Sequence, residues 1–140
     1  MSTSSDKTKL RDAIDAARER GRKLSAEILT GEEMKTSEEF AALLGVSVAT
    51  VNGKRRRGEL LGINGAVKGY RFPIWQLNKD GKPYGILNEL HARLGKPWAV
   101  YRFLKMSHGE LDGLTGLQAL QRNTDEEVLW VVESFLRDFS

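Results

Sequence analysis

The sequence predicts a mainly α protein with a small β-hairpin: a helix-turn-helix, winged, followed by a small helical module. Three observations carry this. Two short capped helices, opening near Thr36 and Ser47, are joined by Gly45-Val46-Ser47, a link short enough for the tight turn of a helix-turn-helix. A hairpin signal, Asn64-Gly65, follows directly, with apolar residues on both sides. After the turn-rich stretch NKDGKP at 78–83, apolar residues recur at helical spacing. The expected organisation is a lead-in helix within 1–35, the winged helix-turn-helix over 36–78 and the helical module over 79–140.

The lead-in helix is expected over residues 9–29. Leu10, Ile14, Ala17, Leu24 and Ile28 fall on one face, and packing of that face within the chain is the expectation. Gly21 marks a candidate bend or break, and Thr30-Gly31 closes the helix. Thr36 and Glu39 have the spacing of a capping box, with Ser37 as the cap if the start shifts by one. The helix they open runs through Phe40, Leu43 and Leu44 and stops at Gly45. Ser47 caps a second helix reaching Arg57, with Ala41 at the helix crossing and Val46 and Val51 in the core.

If that second helix is a recognition helix, Ser47, Ala49, Asn52, Arg55 and Arg56 lie towards the groove, and Thr50 and Lys54 flank them on the backbone. An asparagine amide matches an adenine edge, and an arginine matches guanine or phosphate. Gly53 is the awkward residue, because glycine weakens a helix interior unless the backbone must approach DNA closely. Gly58 ends the helix, and Leu60, Leu61 and Ile63 lead into the hairpin. Residues 67–72 return as a strand with Tyr70 and Phe72 on one face, and Pro73 ends the ladder. The tip is Asn64-Gly65 or Lys68-Gly69, and Lys68 and Arg71 are the wing's candidate phosphate contacts.

Charge is distributed in the same sense. The net charge of 140 residues is only +3. Between positions 54 and 71, however, Lys54, Arg55, Arg56, Arg57, Lys68 and Arg71 face one acid, Glu59, a net of +5. From position 106 onwards seven acids face Arg122 and Arg137, a net of −5. Opposite ends of opposite sign suggest surfaces for two kinds of partner.

In the second half, Ile86, Leu87, Leu90 and Leu94 form one helix face, and Gly95 ends that helix. Pro97 suits the first position of the next, whose apolar residues are Trp98, Tyr101, Phe103 and Leu104. A loop at 106–113 holds Leu111, and a short helix from Thr115 turns Leu117 and Leu120 inward. Thr124 and Glu127 have capping-box spacing at the start of the last helix, 125–139. Apolar residues there surround most of the circumference, which points to a partner surface.

Other classes find little support. With no cysteine there is no disulfide and no thiolate metal site. No apolar run suggests a membrane span, and the opening MSTSSDKTKLRD lacks a signal peptide's apolar core, so a cytoplasmic location is expected. His91 and His108 lack metal-ligand spacing and are expected at the surface. Gly62, Gly65 and Gly69 belong to a hairpin, so no phosphate-binding loop is read. No enzyme activity, cofactor or metal is expected.

The run GYRFPIWQLNKDGKPYGILNEL, followed by PWAVYRFLKMSHGELDGLTGLQAL and a final helix, resembles the Xre/MbcA/ParS antitoxin family. The resemblance covers roughly 36–136, and its most specific pieces are RFPIWQ and the segment LDGLTGLQAL at 111–120, where Gly116 stands in place of the usual proline. It implies an antitoxin that neutralises a toxin, often a RES-type NAD-degrading enzyme, represses its own operon and forms a homodimer. The candidate partner-binding residues are then Trp98, Leu111, Leu117, Leu120, Trp130, Phe135 and Phe139. In one respect the chain departs from the family: its wing looks more like an excisionase or MerR-type winged helix than a lambda-repressor-like module. The competing expectation is a stand-alone DNA-binding regulator, or a phage-type architectural factor, whose second half only dimerises. A third is an interaction module that has lost DNA binding.

Overall fold

The computed structural model describes residues 3–138, so Phe139 lies outside the described residues. It opens with α1, Thr3–Leu29, a single unbroken helix about 40 Å long. Gly21 does not interrupt it; a Cβ there would meet nothing within 4 Å. The expectation that its apolar stripe packs within the chain is overturned. Residues 5–24 are exposed throughout, and only the last turn is held, by buried Leu29 and half-buried Ile28. The two cores are filled by other elements, which leaves the rest of α1 without a surface to cover.

After α1 a strand the sequence did not announce, β1 (Met34–Lys35), pairs antiparallel with β2 (Phe72–Pro73), Met34 opposite Pro73 and Lys35 opposite Phe72. Between them lies the helix-turn-helix. Thr36 closes a complete capping box on α2, Ser37–Leu44: its hydroxyl accepts from the Glu39 N–H, and the Glu39 carboxylate accepts from the Thr36 N–H. Gly45 ends α2 at φ 69, and the Val46 N–H returns to the Ala41 carbonyl at 3.1 Å. Ser47 then caps α3, Val48–Arg56, accepting from the Thr50 N–H. Phe40, Ala41, Val51, Leu60 and Phe72 form the core of this unit, with the Phe40 and Phe72 rings stacked at 5.2 Å. Val46, expected in that core, stands 37% exposed, because the turn that uses its N–H directs its side chain to solvent.

The wing is shorter than expected. Ile63 and Arg71 exchange two backbone hydrogen bonds, 2.9 and 2.8 Å, and residues 64–70 form a loop. The two-residue turn at Asn64-Gly65 and a strand over 67–70 do not form. Ala66 and Val67 pack against the larger core instead, which draws the backbone off the ladder.

The larger core holds the second half together. It gathers Leu29, Met34, Leu61 and Ile63 with residues of α4 (Leu87–Leu94), α5 (Pro97–Lys105), α6 (Gly116–Gln121) and α7 (Asp125–Asp138). Pro97 does open α5, and Thr115 caps α6 in a box with Gln118. Residues 60–63 run extended between the two cores. Leu60 turns into the helix-turn-helix core, while Leu61 and Ile63 turn into the other, the alternation of an extended chain. The segment is clamped by Gln76, 1% exposed. Its Oε1 accepts from the Leu61 N–H at 2.8 Å, and its Nε2 donates to the Leu61 and Pro73 carbonyls at 2.9 and 3.0 Å. Packing therefore crosses the expected boundary near position 78, and Trp75 also lies against the larger core.

Candidate nucleic-acid interface

Helix α3 has two sides. Val51 is buried, and Val48 packs on the same core. About half a helical turn away, Ala49, Gly53 and Arg56 lie along the opposite face, where Ala49 and Arg56 are exposed. Asn52 sits on one margin of that face, and Thr50 and Arg57 on the other. Gly53 does not unwind the helix. Its position is open apart from Arg57 Nη1, 3.3 Å from where a Cβ would stand. The middle of the face is thus small side chains, and its margins are polar or cationic. A groove floor can come close to such a helix, with hydrogen-bonding and charged groups at the rim.

Arg55 is a correction. It was expected towards the groove, but it leans over the buried margin, with its guanidinium carbon 3.7 Å from the centre of the Tyr70 ring. Its stem passes where Gly62 leaves room; a Cβ on Gly62 would stand 2.6 Å from Arg55 Cδ and 2.8 Å from Phe72 Cε2. Arg55 therefore joins α3 to the wing. Arg71 is also committed: Nη1 donates to the Lys68 and Tyr70 carbonyls, both at 3.1 Å, and so shapes the wing loop. Lys68 and Gly69 are exposed and form the outer part of that loop. Of the candidate contacts, Ser47 and Thr50 are engaged in the cap, their hydroxyls 2.9 Å apart, yet both stay exposed at the α3 N-terminus. Lys54 is half-buried and lines a shallow cleft with Glu59, Pro83, Tyr84 and Asn88.

The second half braces the C-terminal end of α3. Asn88 donates to the Arg57 carbonyl at 2.9 Å. Gly58, buried at φ 79, lies against His91, whose Cβ is 3.1 Å from where a Gly58 Cβ would stand. Arg57 pairs with Glu59, and this hydrogen bond holds the Glu59 carboxyl below its ordinary pKa. His91 itself bonds the Leu87 carbonyl through Nδ1 at 2.8 Å.

No protein-family model matches the chain, and no curated protein matches it. Among solved structures it is similar to the NMR structure of Rv2175c, with a TM-score of 0.66 and 21% sequence identity, over 76% of this chain and 82% of that one. The chain shares its fold with Rv2175c. At that identity the likeness to Rv2175c speaks for the architecture alone, a mainly helical fold with a helix-turn-helix and a short wing.

The expected partner-binding residues divide. Leu111 and Leu120 are 4% and 1% exposed and belong to the larger core, so they present no surface; the turn after α5 folds Leu111 back beneath α7. Leu117 and Trp98 are half-buried against the same core, and Trp98 meets Tyr101 edge-on at 5.4 Å. Trp130, Phe135 and Leu136 are exposed on α7, at 56%, 40% and 37%. His108, expected at the surface, is 8% exposed: Nε2 lies 2.9 Å from the Phe103 carbonyl, and its ring packs on Phe103. Gly116 fits for a steric reason, because a Cβ there would lie 2.9 Å from the Phe103 carbonyl oxygen. Among the described residues no helix is long and apolar enough to cross a membrane, and no cluster of His, Cys, Asp and Glu has the makings of a metal site.

Sequence reasoning missed Tyr70, Gly62 and Gln76. Gly62 had a readable signal: it shares the alternating face of Leu60, where a side chain would enter the helix-turn-helix core. The reach of Arg55 to Tyr70 had none, since it depends on a tertiary crossing.

Proposed function

We propose that the protein is a duplex-DNA-binding regulator that seats α3 in a major groove and lays the Lys68 end of its wing on the neighbouring phosphate backbone. The observation that carries this reading is the outward face of α3, with Ala49 and Gly53 at its centre and Asn52, Thr50 and Arg56 around them. Asn52 is the base-reading side chain, and Arg56 reads guanine or holds phosphate. The role of Arg55 is to fix the angle between α3 and the wing, and so the spacing of the two contacts. Repression of its own operon, within a bacterial cytoplasm, is the setting we propose. Selection of bound duplexes from a randomised pool tests this: the full chain enriches a defined motif, and Asn52→Ala relaxes it at one position. Recovery of duplexes without any common motif contradicts the reading.

A second reading, the antitoxin one, is favoured by the apolar surface of Trp130 and Leu136 on α7. In it the α7 surface holds a toxin while α3 holds the operator. Deleting the gene is then lethal only where a neighbouring toxin gene is intact. Harmless deletion beside an intact neighbour opposes this reading and leaves the regulator.

A further inference from the structure

α1 leaves the body of the protein with twenty consecutive exposed residues, 5–24, including Leu10 at 62%, Ile14 at 43% and Leu24 at 59%. A helix in a protein draws most of its stability from packing an amphipathic face, and this stretch packs none within its own chain. Along one stripe of its surface apolar and small residues fall at 10, 14, 17, 21 and 24, with exposed Ala13 and Ala16 beside it, and half-buried Ile28 continues the series. These steps alternate between four and three, which is the heptad period, and they admit one phase: Leu10, Ala17 and Leu24 at d, Ile14, Gly21 and Ile28 at a. The seam holds three successive d–a pairs, Leu10 with Ile14, Ala17 with Gly21 and Leu24 with Ile28, while the a position before them is Lys7; three heptads is the length from which the pattern argues for a coiled coil.

We infer that α1 pairs in parallel with α1 of a second copy of this chain. Three features select that occupant. A β-branched residue at a with leucine at d is the combination that favours two parallel strands, and Ile14 with Leu10 and Leu24 supplies it. Ala17 and Gly21 sit in the middle of the seam, where they let the two backbones come close; nothing of the chain's own lies within 4 Å of a Cβ on Gly21. The flanking charges choose the direction. In a parallel pair Asp6 at g faces the other copy's position 11 at e, an arginine, and this attraction occurs twice. An antiparallel pair centred on the seam would set Arg18 against Arg18 and Arg20 against Arg20. Such a dimer presents two α3 helices to one duplex, but the pairing does not depend on DNA.

Sedimentation equilibrium of the full chain tests the pairing. The expected particle has twice the 15.7 kDa chain mass. Ile14→Asp, a change at an exposed position that leaves the folded body alone, weakens dimerisation by roughly 100-fold, since it buries a carboxylate in the seam. Arg11→Asp weakens it less, and adding Asp6→Arg restores it. Because the chain has no cysteine, Leu10→Cys reports direction. In a parallel pair it oxidises to a covalent dimer; in an antiparallel one the two sulfurs stand about 27 Å apart. A monomer, a dimer indifferent to Ile14→Asp, or a dimer that Leu10→Cys does not cross-link each overturns the proposal. Motif selection by the monomeric variant is read separately, so loss of pairing and loss of DNA binding are distinguished.

Discussion

The guanidinium of Arg55 lies 3.7 Å above the ring of Tyr70, and through that contact α3 and the wing become one surface. The two residues are fifteen positions apart, and Gly62 lies in the space beneath the arginine stem. A double-mutant cycle measures the link. Arg55→Ala and Tyr70→Ala should each destabilise the fold, with a coupling of about 0.5–1 kcal/mol by urea denaturation. Additive losses would mean that the contact contributes nothing.

Gly62→Ala should cost about 1–3 kcal/mol, because its methyl group must displace Arg55 or Phe72. The wing is expected to loosen with it, so DNA affinity falls together with thermal stability. Gly116→Ala should cost a similar amount through the Phe103 carbonyl without touching α3, and so separates general destabilisation from damage to the interface.

Gln76→Leu keeps the volume but leaves the buried Leu61 N–H and carbonyl without their partner. A loss of about 2–4 kcal/mol is expected in denaturant titrations. Hydrogen exchange should speed first at the Leu61 amide, since Gln76 alone holds it.

Hydrogen bonds from the Thr36 backbone N–H and hydroxyl hold the Glu39 carboxyl below its ordinary pKa of 4.5. A depressed carboxyl contributes stability above the unfolded pKa and loses it as pH falls through the folded value. The difference in melting temperature between wild type and Glu39→Ala should therefore be present at neutral pH and shrink below about pH 4.5. A difference that grows on acidification would contradict the capping assignment.

Local signals were legible where local chemistry decides the structure. The caps at Thr36 and Ser47, the turn at Gly45 and the first-position Pro97 are all set by neighbours within four residues. Burial was legible where periodicity is strong, as at Val51, Leu90 and Leu104. What escaped depends on distant partners. Strand β1 is two residues long and exists because β2 lies beside it. The hairpin signal at Asn64-Gly65 yielded to the burial of Ala66 and Val67. Arg55 looked like its cationic neighbours until the position of Tyr70 was known. Leu111 and Leu120 carry the same apolar character as Trp130 and Leu136, and only the packing of α5, α6 and α7 divides core from surface.

The central claim is that the outward face of α3 and the Lys68 end of the wing contact phosphates together. The measurement is the affinity of the full chain for its selected duplex across a range of salt concentrations, alongside Arg56→Ala, Lys68→Ala and the double variant. Each lost phosphate contact should reduce the slope of log K against log salt by about 0.9, and the double variant by about twice that. Binding with an unchanged slope in the double variant, or no binding even at low salt, would contradict the account.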